Sequence, residues 1–352
     1  MEQRRGLSEA QFIRRVLIVI ALVALTLLLW ALRDVLLMVF GAVVVSTLFL
    51  SLAAQFQRLR VPPGLALALS VLTIFTIVGG AMALFGAQLT AQTTSLSEAV
   101  PKAWEALQVR LESWGVPIDL AQLKLGGAGS GLAASAGQFV MSLGSGLANV
   151  LLIIVGGIFI AASPRFYATG AVKLVPDTKR GLMTEALADS GKALRLWLKA
   201  QLVAMVLIGT LTGLGLWMLG VPSALALALL AGLLEFVPYV GPIIAAIPAV
   251  LIAFAIDPQL GLWTVLLYVL IQNIEGYAVQ PLIQSWAVEV PGAVLLFALL
   301  ACGGLFGPLG IVFAAPLTVV VYVLIKRLYV REALDTPTPI PGEDQPEPAP
   351  AA

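Results

Sequence analysis

Apolar residues fall along this chain in runs of about twenty, the length that crosses a bilayer as one helix. Residues 16–32, 35–54, 65–87, 147–162, 201–219 and 260–276 are each read as such a span. Arg33 and Asp34 separate the first two, and Pro62, Pro63 and Gly64 mark the next joint. Two further stretches, 222–256 and 291–325, are too long for one straight crossing. Either would advance about 50 Å as a straight helix, against a hydrocarbon core of about 30 Å. Both carry proline and glycine near the middle. The first reads LLEFVPYVGPIIAAIP over 233–248, with Glu235, Pro238, Tyr239, Gly241, Pro242 and Pro248. The second holds Gly307, Pro308 and Gly310, then Pro316. Proline removes a backbone donor and clashes with the preceding turn, so each stretch is predicted to be two half-helices around a break.

The two stretches resemble each other. Val221-Pro222 opens one and Val290-Pro291 the other, and each follows a conventional span. We read them as an internal repeat. As kinked crossings they give eight spans. As re-entrant hairpins they give six spans and two hairpins, in two inverted units. Both arrangements leave Lys326, Arg327 and Arg331 on the same side, and the side of residues 277–290 separates them. We adopt the hairpins, because inverted repeats of broken helices meeting near the midplane are a common transporter design. The fold class expected is an all-α polytopic membrane protein of six to eight transmembrane helices.

The remaining segments are polar or amphipathic. Residues 1–15 carry Arg4, Arg5, Arg14 and Arg15, which predicts a cytoplasmic N-terminus followed by three retained spans over 16–87. Over 88–145, Val100, Trp104, Leu107, Leu111 and Trp114 recur at helical spacing. This predicts an extracytoplasmic amphipathic helix, lying on the interface or packed on neighbouring spans or subunits. Residues 146–335 form the transport region, and its loop 163–199 carries the strongest cluster of Lys and Arg. A helix opening at Pro176-Asp177 is expected to run on into the next span. The Pro-rich tail, 336–352, is expected to be disordered.

Composition narrows the function. The chain is 60% apolar and 11% charged, with mean hydropathy +1.01. A soluble domain carries roughly 25% charged residues. The runs do not alternate as barrel strands do. A net charge of +1 implies no attraction to nucleic acid. The one cysteine, Cys302, is read as a packing residue. There is no histidine, so the commonest metal ligand and the commonest near-neutral proton carrier are both absent. No metal cluster, phosphate loop or Ser/His or Cys/His pair is found, and no enzyme activity is expected. No cofactor is expected beyond a coupling proton or sodium ion.

Few polar residues lie within the apolar runs. Glu235 precedes the first break, and Gln272, Asn273 and Glu275 cluster at the end of the 260–276 span, before Gln280 and Pro281. A buried carboxylate is costly unless it is paired or protonated. No Lys or Arg lies between Gln201 and Lys326. The partners of Glu235 are therefore water, backbone donors, amide side chains, a bound cation, or an arginine from elsewhere such as Arg33. Glu235, Tyr239, Gln272, Asn273, Glu275 and Gln280 are the candidate site for a solute or cation. The bland alternative places both acids at helix ends among lipid headgroups, with Tyr239 as an interfacial anchor.

These residues resemble the pattern of the autoinducer-2 exporter family of prokaryotic membrane proteins. The resemblance rests on E-x-x-P-Y-x-G-P at Glu235–Pro242, on Gln272, Glu275 and the Gln280-Pro281-Leu282-Ile283 segment, and on Phe306, Gly307, Gly310, Ala314 and Pro316. It covers about residues 10–330. It implies a homo-oligomeric transporter of the plasma membrane that exports a small polar solute, such as an autoinducer-2-like furanone, by alternating access. Other family members are linked to sodium/proton antiport. Val290 stands where many members have a polar residue before the proline. A non-transporting membrane scaffold is the reading from a different class.

Overall fold

A computed structural model describes residues 9–84, 87, 148–280, 288 and 290–340. The segment expected at 88–145, Pro281, most of the 277–290 connection and the tail beyond residue 340 lie outside the described residues. The described residues form helices and turns, with no strand among them.

The helices are α1 (Glu9–Ala31), α2 (Arg33–Arg58), α3 (Pro63–Leu84), α4 (Ala148–Ala162) and α5 (Pro164–Lys173). They continue as α6 (Arg180–Met218), α7 (Ala224–Leu234), α8 (Val240–Ile256), α9 (Pro258–Ile274) and α10 (Gly292–Leu324). Six are long and apolar enough to cross a membrane, or seven if α4 and α5, bent by 94°, count as one crossing. The chain is an all-α polytopic membrane protein, as its apolar runs predict.

Some boundaries differ from those expected. α1 begins at Glu9, ahead of the apolar run, because Glu9, Ala10, Gln11, Arg14 and Arg15 are good helix formers. The polar joint at Arg33-Asp34 is no open turn. Leu32 N–H donates to Leu28 O and Leu36 N–H to Leu32 O, both at 2.9 Å, so helical bonding runs through the joint. Asp34 suits the first turn of α2, where the helix dipole favours an anion. Arg33 lies over the Trp30 ring at 4.5 Å and reaches Asp34 at 3.7 Å; it is no partner of Glu235. The side chains of α1 from Ile13 onward are exposed to the surroundings rather than folded back onto α2. The helix expected from Pro176-Asp177 does run on through Trp197: a 3-10 turn over Asp177–Lys179 leads into the long α6.

Lipid is as apolar as leucine, so helices in a bilayer associate through close packing rather than through escape from water. The α6–α7 contact is built this way. Gly209 and Gly213 of α6 face Ala228 and Gly232 of α7, two small residues four apart on each helix. A Cβ on Gly232 would stand 2.9 Å from Met205 O, so the backbones touch. The larger core joins Leu37 and Val44 of α2, Leu194 and Leu198 of α6, and Phe313, Val319 and Val323 of α10.

Both predicted breaks are present. At the first, Tyr239 takes φ +66° between α7 and α8. At the second, Gly307 takes φ +65°, ψ −148° within α10. The chain turns back sharply at each. A Cβ on Gly241 would fall on Leu234 O, and one on Gly310 on Cys302 O. Seven or eight residues of straight helix would hold these atoms about 10–12 Å apart. Pro248 and Pro316, expected among the breaks, instead lie inside α8 and α10. Pro308 follows Gly307 directly and Pro242 lies third in α8, both in the first turn after the break, where a missing N–H costs little because the new helix's first donors have no partner.

The π-helical stretch that follows α10, Ile325–Arg331, is tied to α6. Arg327 pairs with Glu185 and stands 3.7 Å from Asp189. Residues 336–340 are not loose, in contrast to the disorder expected from Thr336. Arg331 donates to Thr338 O at 2.8 Å and Lys326 to Pro339 O at 3.2 Å. Ile340 is 3% exposed and joins the core.

Candidate functional site

A cavity of about 110 Å³ lies where the first break meets α6, the end of α9 and α10. Each wall has a local cause. α7 ends at Leu234, and the last carbonyls of a helix have no partner within it. Gln201 of α6 meets that need: its Nε2 donates to Glu235 O at 2.5 Å. The Glu235 side chain then faces the cavity and is 2% exposed.

The opposite acid comes from the end of α9. The helix passes at Glu275 into a π turn, Glu275–Val279, closed by Gln280 N–H donating to Glu275 O. An i→i+5 bond brings residue 280 back over residue 275, which an α-helical period would not do. Gln280 Nε2 consequently donates to Glu275 Oε1 at 3.3 Å. Gln272, one turn earlier, donates to Oε2 at 2.8 Å. Glu275 is 4% exposed with both oxygens held by amides. Glu235 and Glu275 interact directly across the cavity, yet Glu235 Oε2 has no hydrogen-bond partner.

Two like carboxylates in a poorly solvated site repel strongly, and burying both charged is costly. No Lys or Arg lines the cavity among the described residues. The pair therefore needs one positive charge for balance, either a proton on one carboxyl or a bound cation. The rest of the lining is apolar: Trp197, Ala200 and Ala204 of α6, Val288, Val290 and Leu295 ahead of and within α10, and Ala315 and Val319 farther along it. Trp197 also packs edge-on against Phe236, at 5.9 Å between ring centres.

Of the six candidate polar residues, the structure brings Glu235, Tyr239, Glu275 and Gln280 to the cavity. Gln272 stands one bond behind, through Glu275. Asn273 does not join them: it is exposed and donates to Val269 O on its own helix at 2.7 Å. Both acids stand at helix ends, as the alternative reading also expects, and both are buried against protein. Gln201 was missed, although it is the one amide heading an otherwise apolar run. Gly292 was also missed. A Cβ there would stand 3.1 Å from Tyr239 Oη, so its bare backbone makes room for the tyrosine of the other unit. Residues grouped as helix breaks divide in the same way, with Pro238 lining the cavity and Gly307, Pro308 and Gly310 absent from its lining.

Known proteins resemble this chain. YrrI of Bacillus subtilis is 33% identical over 152 residues, 43% of each chain. YueF of the same organism is 28% identical over 160 residues, covering 42% of its own length, so these two matches span less than half of those relatives. Escherichia coli TqsA, named an AI-2 transport protein, is 24% identical over 304 residues, 81% of this chain and 84% of its own. Residues 18–329 match the model of the AI-2E family transporters, and the chain belongs to that family of membrane transport proteins.

Proposed function

We propose that this chain is a secondary-active transporter that moves a small polar solute outward across a bacterial inner membrane by alternating access. The Glu235–Glu275 pair would carry the coupling charge. The observation that carries the proposal is the pair itself: two buried acids, one clamped by two amides and one with a free oxygen, facing each other beside a broken helix. The two breaks suit re-entrant hairpins, and hairpins that pack on a scaffold can move as units while the scaffold stays fixed. The basic residues from Arg165 to Lys199 support a cytoplasmic position for that side and for both termini. The exposed length of α1 leaves a face for lipid or for further copies in a homo-oligomer.

TqsA's name suggests an autoinducer-2-like furanone as the solute. The cavity favours a second reading, cation/proton antiport. Its ionisable lining is acidic, and its volume of about 110 Å³ is small. A ~150 Å³ cavity takes benzene, which has six heavy atoms. A polyhydroxylated furanone, with five ring atoms and its oxygen substituents, exceeds this cavity as it stands.

The test is flux in proteoliposomes of the full chain, with an imposed proton or sodium gradient and an internal pH dye. Gradient-coupled flux that falls to background in Glu235→Gln is expected. Unchanged flux in that variant would remove the pair from the mechanism. A variant that folds and a wild type that moves nothing under any gradient would point to a scaffold.

A further inference from the structure

The cavity has a polar edge and an apolar body, and each makes a separate demand on its occupant. At the polar edge, Glu235 Oε2 is buried and without a hydrogen-bond partner. Both Glu275 oxygens already accept from Gln272 and Gln280. A bare alkali cation could use the oxygens of this edge, where the carboxylates and glutamines keep acceptor capacity, but it would leave the apolar body of the cavity without an occupant. An ammonium needs only a few acceptors and places its own donors on them. The apolar body is no surface for a metal ion, but it suits hydrocarbon. Anions are disfavoured, because Glu235 is faced by Gln201 and Trp197 from α6, by Glu275 and Gln280 from the π turn, by Tyr239 from its own break, and by uncharged side chains from α10.

We propose that this cavity binds a small amphipathic cation, a protonated primary amine with a short alkyl body. Its ammonium lies between the Glu235 and Glu275 carboxyls, and its alkyl chain lies on Val288, Val290, Leu295 and Val319. The proposal rests on the reading of this cavity as the transport site and names its cargo: the amine leaves in exchange for the proton that balances the same acid pair. Size sets the upper bound. Scaling from a cavity of ~150 Å³ that holds benzene, a cavity of about 110 Å³ admits four or five heavy atoms. n-Butylammonium has five. A primary amine of this kind is protonated at neutral pH, as lysine is.

Val290 gives the proposal its specificity element. A polar residue before Pro291 would wet this wall. With valine there, each buried CH₂ contributes about 0.8 kcal/mol, so butylammonium should bind roughly fiftyfold more tightly than methylammonium.

The experiment is thermal unfolding of the purified full chain in nanodiscs, titrated with n-butylammonium, methylammonium and sodium chlorides and with sodium butyrate. Saturating n-butylammonium is expected to raise Tm by about 5 °C. The rise should grow with pH as proton competition fades, and it should vanish in Glu235→Gln. Butyrate should do nothing. Val290→Thr keeps the acid pair and should narrow the butyl-over-methyl preference several-fold, a readout that does not depend on how Glu235→Gln folds. Equal rises with sodium and butylammonium would overturn the proposal in favour of an alkali-ion site. No rise with any cation, while wild-type flux remains gradient-coupled, would overturn it and leave the transport reading standing. Loss of both would overturn both.

Discussion

The two breaks share a backbone device and differ in chemistry. In each, a residue with positive φ stands just ahead of the second half-helix, and a glycine two or three residues later packs onto a carbonyl seven or eight residues back: Gly241 on Leu234 O, Gly310 on Cys302 O. The residue after that carbonyl is Glu235 in the first break and Gly303 in the second. The first break holds its positive φ with Tyr239, a residue strained there, whereas the second uses Gly307. Tyr239 reaches toward Gly292 at the start of α10, so the strained residue is also the one that touches the other unit. One break has thus kept a carboxylate and a costly backbone conformation, and the other has neither. Strain of about 1–3 kcal/mol is retained where surrounding structure enforces it, often at functional sites. The comparison fits the proposal that the first break carries the chemistry while the second bends the chain.

The largest expected effect tests the shared device. Gly241→Val and Gly310→Val each place side-chain atoms on backbone that cannot yield, at a cost of more than about 3 kcal/mol. Neither variant should elute as a folded species on size exclusion, and a folded Gly310→Val alone would show that the breaks are not equivalent. Next come the two positive-φ positions. Gly307→Ala should cost about 1–3 kcal/mol, because its φ and ψ are open essentially to glycine, with a matching fall in Tm. Tyr239→Gly should keep the fold and lose transport, which separates strain held for function from a positive φ that merely bends the chain. Smaller again is Gln280→Leu. It leaves Glu275 Oε1 without its amide donor, a loss of about 1–3 kcal/mol, and flux should drop with little change in oligomer or expression. Smallest is Cys302→Ala. Only the carbonyl of residue 302 meets Gly310, so both flux and stability should stay within about 0.5 kcal/mol of wild type.

Much of this was legible in the chain because the signals are local. Run length gave the spans, Pro and Gly placed the breaks, and the rarity of carboxylates in apolar runs picked out Glu235 and Glu275. The parts that were not legible depend on register or on distant partners. Gln280 meets Glu275 only because the helix slips into a π turn, and Asn273 falls outside for the complementary reason, lying on the far face of the same helix. Val288 and Gly292 reach the site from other elements with nothing in their own neighbourhoods to announce it, and Gln201 is marked only by heading an apolar run. Pro248 and Pro316 looked like Pro238 in sequence. In this chain a proline marks a break only where a neighbouring residue also leaves helical space, as Tyr239 does after Pro238 and Gly307 does before Pro308.

The central claim is that the Glu235–Glu275 pair holds one exchangeable positive charge. Infrared difference spectroscopy of the reconstituted protein tests it most directly, by following the carbonyl stretch of a protonated, buried carboxyl as pH rises. The account predicts such a band in wild type, its loss as pH rises or cation is added, and its absence in Glu235→Gln. A band unchanged in Glu235→Gln, or no protonated carboxyl at any pH at which the protein stays folded, would contradict it.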